Sequence, residues 1–159
     1  MKPTVYIETT IISYLAARPS RDLVQAGRQR TTSDWWHESR QPFTVLTSEL
    51  VLMEAETGDV EAAAKRLQVL ADFPVLPVTE VAEEVAAQLV GSGAVPTAAP
   101  RDALHIGVCA AHGIEFLLTW NFRHLANAAL RHKIRHVCLD AGCVPPDVCT
   151  PDELMECES

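Results

Sequence analysis

The chain has 159 residues, of which 48% are hydrophobic and 21% are charged, and its formal net charge is −8. This length and composition are typical of one soluble globular domain, and no apolar run approaches the roughly 20 residues of a membrane span. The negative net charge argues against a protein that coats nucleic acid through its overall field.

The first third of the chain predicts two strand-to-helix units. "TVYI" at residues 4–7 predicts a short strand, and "TIISYLAA" has apolar residues at helical spacing, so the chain turns from strand to helix around Glu8. The polar residues 22–40 predict a surface helix on which Trp35 and Trp36 present apolar area. "FTVLT" predicts a second strand, after which Ser48 begins the helix "SELVLMEAETG".

The rest of the chain continues the alternation of strands and helices. In order we expect helices at 60–72 and 79–90 around a short strand "PVLPV", a loop at 91–100, a buried helix "RDALHIGVCAAHG", a strand at 115–120, a helix at 122–133 and a last strand "HVCLD" at 136–140. Such an alternation is typical of an α/β sandwich with a parallel sheet. We expect residues 1–159 to form one domain.

Polar side chains follow two of the predicted strands. Glu8 comes directly after the first strand, and Asn121 comes directly after the strand "EFLLTW". Sites in open parallel sheets form beyond the carboxyl ends of the strands, so we expect these two groups to converge.

Three further acids are candidates for the same site. Glu54 shares a helix face with Leu50 and Val51, but Glu56 bears the same relation to other apolar residues, so spacing alone does not choose between them. Asp102 lies in the first turn of the buried helix. The helix dipole accounts for an acid there, but a buried carboxylate must also be paired, protonated or bound to a cation.

Glu8, one of Glu54 and Glu56, and Asp102 would supply three carboxylates, and Asn121 would supply an amide. Such a set of oxygen ligands favours a hard divalent cation. No lysine or arginine is an equally obvious partner nearby in sequence, and oxygen ligands fit Mg²⁺ or Mn²⁺ better than zinc. His105, one turn after Asp102, is either a general base or a histidine packed in the core.

The basic residues and the cysteines are less specific. Two segments are locally basic, around Arg18–Arg30 and Arg123–Arg135, and they predict either solvated helix faces or local RNA contacts. The five cysteines have no paired spacing and predict free thiols in a reducing compartment rather than a disulfide framework. Because the N-terminus has no long apolar run, no secretory signal is predicted and a cytoplasmic location is expected.

The ordered motifs "VYIETTIISYL", "TSELVLMEAETGD" and "RDALHIGVCAAHGIEFLLTWNFRHLANA" resemble the PIN domain over residues 3–140. They are most similar to its VapC-like branch, the ribonuclease toxins of toxin–antitoxin pairs. The resemblance implies a three-layer α/β/α sandwich with a central, mainly parallel sheet. It also implies an Mg²⁺- or Mn²⁺-dependent endoribonuclease, an RNA substrate, an antitoxin partner and a homodimer.

The resemblance assigns catalytic and metal-binding roles to Glu8, Glu54, Asp102 and Asn121. Two of these depart from the pattern, since Glu8 stands where the family usually has Asp and Asn121 where it often has Asp. The carboxylates would hold one or two ions for metal-assisted phosphodiester hydrolysis, and Asn121 would ligate an ion or orient a water.

Three arginines and two alternative functions complete the set of hypotheses. Arg101, Arg123 and Arg131 are candidate phosphate contacts. The two departures and the acidic charge favour an alternative, a catalytically degenerate domain that binds RNA or protein. A phosphoacceptor receiver domain would need a lysine after the last strand, and "HVCLDAGCVPPD" has none.

Overall fold

The computed structural model describes residues 1–155, and within them the chain builds an all-parallel sheet of five strands. These strands are β1 (Thr4–Ile7), β2 (Thr44–Ser48), β3 (Val75–Leu76), β4 (Phe116–Leu118) and β5 (Asp147–Cys149). Their order across the sheet is β3-β2-β1-β4-β5. The predicted parallel sheet is therefore confirmed.

Seven α-helices of the described part of the chain cover the sheet. They are α1 (Thr9–Ala16), α2 (Leu23–Asp34), α3 (Glu49–Ala55), α4 (Val60–Leu70), α5 (Glu80–Gly91), α6 (Pro100–His112) and α7 (Ala128–Asp140). Contacts divide them into two groups, α1–α4 and α5–α7, which gives the predicted three-layer α/β/α sandwich. Over residues 1–155 no helix combines the length and the apolar character needed to cross a membrane.

The central strand β1 fixes the position of the site. It pairs with β2 on one side and β4 on the other, and Val5, Tyr6 and Ile7 are fully buried. The strand order reverses at β1, because the chain first moves outward to β2 and β3 and later returns to β4 on the opposite side. Crevices beyond the carboxyl ends of strands at such a reversal are where parallel sheets bind ligands. Glu8 follows β1, and Thr119 follows β4.

Local signals in the sequence account for several of the helix ends. The Ser48, Asp59 and Thr79 side chains each accept a hydrogen bond from a first-turn backbone N–H, as N-caps do. Helix α6 begins at Pro100 and ends at His112, and it is capped by Gly113, whose φ of 66° is left-handed and favours glycine.

The predicted elements after residue 121 are wrong. Helix α7 covers Ala128–Asp140, so the predicted helix at 122–133 begins six residues later, and the predicted strand "HVCLD" is the end of this helix. Apolar side chains at Leu130, Ile134, Val137 and Cys138 follow the i, i+4, i+7, i+8 spacing of one buried helix face. The last strand is β5, which pairs with β4.

Trp35 is not the surface residue that we expected. The predicted helix at 22–40 consists of α2 and a π-helical turn at Trp35–Ser39, and the Trp35 side chain is 0% exposed. It packs against Trp36 and Phe43, while Trp36 packs against Phe73. The argument for self-association from exposed tryptophans therefore does not hold.

The cysteines of the described residues are free thiols, as predicted. They are Cys109, Cys138, Cys143 and Cys149. Cys157 lies outside the described residues.

Candidate active site

Glu8 is a buried carboxylate at the carboxyl end of the central strand. Its side chain is 3% exposed, and Oε2 accepts a hydrogen bond from the backbone N–H of Thr10 at 2.7 Å, which caps α1. Oε1 accepts a hydrogen bond from Thr119 Oγ1 at 2.9 Å. Burial raises the pKa of Glu8, and the ion pairs found over residues 1–155 do not include it. A buried acid without a cationic partner favours binding of a cation.

A series of hydrogen bonds leads from Glu8 to Asp102. The Thr119 hydroxyl that donates to Glu8 also accepts from the backbone N–H of Asn121 at 3.0 Å. Asn121 Oδ1 accepts from the backbone N–H of His124 at 3.1 Å, and His124 Nδ1 lies 2.8 Å from Asp102 Oδ2. The loop after β4 is thereby joined to the first turn of α6.

A second series leads from Thr9, the neighbour of Glu8, to the same helix through Glu54. Glu54 Oε1 accepts from Thr9 Oγ1 at 2.9 Å and lies 2.5 Å from His105 Nε2. His105 is one turn after Asp102 on α6. Both series run from the Glu8–Thr9 segment at the carboxyl end of β1 to helix α6, so they are linked through the backbone at each end. We call the two series together the network, and it contains Glu8, Glu54, Asp102 and Asn121.

The structure separates Glu54 from Glu56, which spacing alone did not. Glu54 is half-buried and belongs to the network, whereas Glu56 is exposed at the C-terminal cap of α3. Burial would raise the pKa of Glu54, but the His105 hydrogen bond and charge, together with Thr9 and Arg101, outweigh burial and lower it. Glu54 therefore accepts hydrogen bonds as a carboxylate.

His105 is a buried link rather than a group open to solvent. Because the Glu54 carboxylate only accepts, His105 Nε2 carries a hydrogen and donates it. On the other side of the ring, His105 Nδ1 lies 2.6 Å from the Tyr6 hydroxyl, which lies 2.8 Å from Ser48 Oγ. Burial raises the pKa of Tyr6, which keeps the phenol protonated. His105, Tyr6 and Ser48 thus support Glu54 from the buried side of the site.

A cavity of about 470 Å³ adjoins part of the network. Glu54, Arg101, Asp102 and His124 line it, together with residues 98–100, whereas Glu8 and Asn121 are not among its lining residues. Arg101 is exposed at this cavity, so it is placed to contact an anionic ligand there. Arg123 is exposed in the loop after β4. The structure does not bring Arg131 to the site, since it lies 3.5 Å from Glu153 and lines a different cavity.

The donor set fits a hard divalent cation in its chemistry. It consists of three carboxylates and one amide carbonyl, all oxygen ligands, and one of the carboxylates is buried without a cationic partner. Across residues 1–155, however, no three His, Cys, Asp or Glu side chains are gathered as a ready metal cluster. Asp102 and Glu54 each direct one carboxylate oxygen at a histidine, and Asn121 Oδ1 accepts from the backbone N–H of His124. A bound cation would therefore share these oxygens or take the second oxygen of each carboxylate.

Three residues of the network were not found from the sequence. Thr119 and Tyr6 lie within strand-like patterns, where a hydroxyl is unremarkable. His124 lies in a turn, and its contact with Asp102 joins residues 22 apart in sequence. The one available signal was the spacing of His124 after Asn121, since Asn side chains often accept from a backbone N–H shortly after them.

Comparisons with known proteins agree with this fold. The family model described as PIN domain matches residues 5–130. VapC20 of Mycobacterium tuberculosis, described as a sarcin-ricin loop cleaving toxin, has 21% identity, a TM-score of 0.57, and coverage of 76% of this chain and 92% of that one. No match was found among curated proteins.

Two further solved structures cover more of the chain. VapBC2 of Rickettsia felis, bound to a DNA fragment from its promoter, has 13% identity and a TM-score of 0.60, and the match covers 92% of this chain and 98% of that one. A toxin–antitoxin complex from Klebsiella pneumoniae has 16% identity and a TM-score of 0.58, with 92% and 97% covered. At these identities the likeness establishes a common fold.

Proposed function

Because the chain belongs to the PIN domain family, we propose that it is a metal-dependent endoribonuclease and the toxin of a toxin–antitoxin pair. The observation that carries this proposal is the network at the carboxyl end of β1, where the strand order reverses. It joins Glu8, Glu54, Asp102 and Asn121 from four separate parts of the chain beside a cavity lined by Arg101.

Each residue of the network has a task in RNA hydrolysis. Glu8, Glu54 and Asp102 would hold one or two Mg²⁺ or Mn²⁺ ions, with the Asn121 carbonyl as a neutral ligand. A bound ion would lower the pKa of a water and neutralise charge on the phosphate. Thr119 and Thr10 hold Glu8, whereas Thr9 and His105 hold Glu54. Arg101 would contact the phosphate, and Arg123 would contact the RNA farther along the loop.

The proposed partners follow from the same family. An antitoxin partner is supported by the two structural neighbours that contain toxin–antitoxin complexes. We also propose an RNA substrate, a homodimer and a cytoplasmic location. Arg131 remains a proposed RNA contact only if RNA extends beyond the active-site cavity.

Replacing Glu54 and Glu56 separately by Gln tests this assignment with a matched pair on one helix. We expect Glu54→Gln to lower Mn²⁺-dependent cleavage of single-stranded RNA by at least about 100-fold, because a ligand charge is lost and even loss of an outer partner of a metal ligand costs about 10- to 100-fold. Glu56→Gln should stay within about twofold of the wild type, because this exposed side chain lies outside the network. Equal losses in the two variants would show that the second acidic position is misassigned.

Restoring a carboxylate at Asn121 tests whether this residue faces the cation. In EDTA, Asn121→Asp should melt about 2–4 °C lower than the wild type, since about 1 kcal/mol of added repulsion has that effect in a chain of this size. Added Mn²⁺ should raise the melting temperature of the variant more than that of the wild type, because the ion offsets the repulsion. Equal Mn²⁺-induced shifts in both proteins would place Asn121 away from the cation.

A catalytically degenerate domain is the second candidate function. The observation that favours it is the pairing of Asp102 with His124 and of Glu54 with His105, which occupies oxygens that a metal site would use. On this account the protein would bind RNA or a protein partner without cleaving RNA. Full RNA binding with no cleavage at millimolar Mn²⁺ would support this alternative.

A further inference from the structure

An aromatic cluster lies beside Asn121 and is not used by the proposed chemistry. Trp120 and Phe122 flank Asn121 in the loop after β4, and their ring centroids are 5.8 Å apart. The Arg28 guanidinium of α2 lies 5.7 Å from the Trp120 ring and 4.9 Å from the Phe122 ring. We name Arg28, Trp120 and Phe122 the stacking cluster.

The inner part of the stacking cluster is fixed by hydrogen bonds. Trp120 Nε1 donates to Thr32 Oγ1 at 2.7 Å, and the Thr32 hydroxyl donates to the carbonyl oxygen of Arg28 at 2.6 Å. The backbone N–H of Trp120 donates to Thr10 Oγ1 at 2.9 Å, and Tyr14 packs edge-on against the indole. The loop that carries Asn121 and the helix that carries Arg28 are therefore held together.

The outer part of the stacking cluster is open. The Phe122 side chain is 44% exposed, and it is the only aromatic residue among the exposed large hydrophobic side chains of the described residues. Its ring contacts Arg28 and Trp120, and the rest of its surface is open to solvent. Among the ion pairs of residues 1–155 none involves Arg28, and Arg123 beside Phe122 is exposed.

These features match an unpaired nucleobase better than a peptide. Aromatic rings and arginine planes stack on the faces of splayed-out bases, and nearby positive charge attracts the phosphates of the same strand. In a chain with a net charge of −8, an open ring with Arg28 against it and the exposed Arg123 next in sequence forms a locally cationic surface. Phe122 is also one residue, or about 3.8 Å of backbone, from the proposed ligand Asn121.

We propose that the stacking cluster binds an unpaired base of the RNA strand next to the phosphate held at the active site. The inference rests on the proposed function, because it names how that site takes its substrate. It assigns Phe122 and Arg28 to recognition of single-stranded RNA, apart from the groups that would hold a cation.

The test measures RNA binding in EDTA, where cleavage is switched off. The probe is a fluorescein-labelled single-stranded RNA of 12 nucleotides, and fluorescence anisotropy gives its Kd. We expect Phe122→Ala to raise the Kd by about 5- to 150-fold, the range for loss of base–aromatic stacking. Phe122→Trp should restore binding, because it restores an aromatic face. The same RNA is then prepared as a series in which each member lacks the base at one position. We expect loss of the base at one position to raise the Kd of the wild type but not that of Phe122→Ala.

Two arginines of the same helix provide a matched control for charge. Arg28→Gln should weaken RNA binding, whereas Arg30→Gln should leave it within about twofold, because Arg30 points to Asp34 and not to the rings. Equal losses would mean that only the overall charge of α2 matters, and this result would overturn the stacking site.

The outcomes separate this inference from the proposed function. If the wild type cleaves RNA with Mn²⁺ but Phe122→Ala keeps the wild-type Kd and abasic pattern, the stacking site is wrong and the nuclease stands. If base-dependent binding through Phe122 is found without cleavage, the stacking site stands and the nuclease is wrong. If the wild type does not bind single-stranded RNA at 100 μM, a concentration of about the weakest non-specific nucleic-acid affinities, the stacking site is wrong. If Phe122→Ala abolishes a dimer seen by sedimentation while its Kd for RNA is unchanged, the cluster is a protein contact.

Discussion

Asp102→Asn should abolish metal-dependent RNA cleavage while leaving the protein folded. Loss of an outer partner of a metal ligand costs about 10- to 100-fold, so loss of a ligand charge should cost at least about 100-fold. The variant also weakens the pairing that orients His124 at the cavity, since Asp102 Oδ2 lies 2.8 Å from His124 Nδ1. The measurement is the initial rate of cleavage of a labelled single-stranded RNA in Mn²⁺.

The stability of Asp102→Asn should change much less than its activity. Asn keeps the size of the side chain and an acceptor for His124, and the lost interaction with the helix dipole is about 0.3–1 kcal/mol. This corresponds to a melting temperature lower by at most about 4 °C. Asp72→Asn is the control, because Asp72 is exposed in the turn after α4. This variant should cleave RNA at the wild-type rate. A wild-type rate for Asp102→Asn would reduce Asp102 to a residue that stabilises the start of α6.

Gly107→Ala should be the most destabilising single-methyl change in the helices that carry the site. A Cβ built on Gly107 falls on the carbonyl oxygen of Ala82, so α5 and α6 pack together only because Gly107 has no side chain. Overpacking of this kind costs about 3 kcal/mol, and the better helix propensity of Ala returns about 1 kcal/mol. The net loss of about 2 kcal/mol should lower the melting temperature by about 4–8 °C.

Gly27→Ala is the matched control for this prediction. Gly27 lies in α2, and a Cβ built there meets nothing within 4 Å. The same substitution should therefore raise stability by up to about 1 kcal/mol, through helix propensity alone. Thermal melts of both variants measure the contrast. A Gly107→Ala protein as stable as Gly27→Ala would show that α5 and α6 are not in close contact at this point.

Strand ends were the part of the site that the sequence could predict. Glu8 and Asn121 follow short runs of buried residues, and in a parallel sheet the ends of adjacent strands are adjacent in space. Asp102 was proposed because its helix is apolar enough to be buried. The placement of these three residues needed only local patterns and the parallel arrangement of the strands, whereas their roles as metal ligands come from the resemblance to the PIN domain and stay predictions.

The groups that hold the site depend on contacts between distant parts of the chain. Glu54 differs from Glu56 because Thr9 and His105 reach it, and neither contact can be read from helical spacing. The role of Tyr6 depends on α6 packing over β1, which brings residues 99 apart in sequence into hydrogen-bond contact. The role of His105 was left open between a general base and a packed histidine. Its side chain is buried and hydrogen-bonded to Glu54, which favours the packed histidine.

The C-terminal errors have a related cause. "HVCLD" has a short apolar pattern that fits a strand, but with Leu130 and Ile134 it completes a helical face. The strand "DVC" is only three residues long and is defined by its pairing with β4. Such short segments acquire their structure from their neighbours.

Direct Mn²⁺ binding to the wild type and to Asp102→Asn tests the central claim, that the network at the carboxyl ends of β1 and β4 holds a divalent cation. Each protein is stripped with EDTA, dialysed and titrated with Mn²⁺, and the free ion is followed by its electron paramagnetic resonance signal. We expect saturable binding to the wild type and a loss of at least about tenfold in affinity for Asp102→Asn. No saturable binding to the wild type at millimolar Mn²⁺, or equal affinity in both proteins, would contradict it.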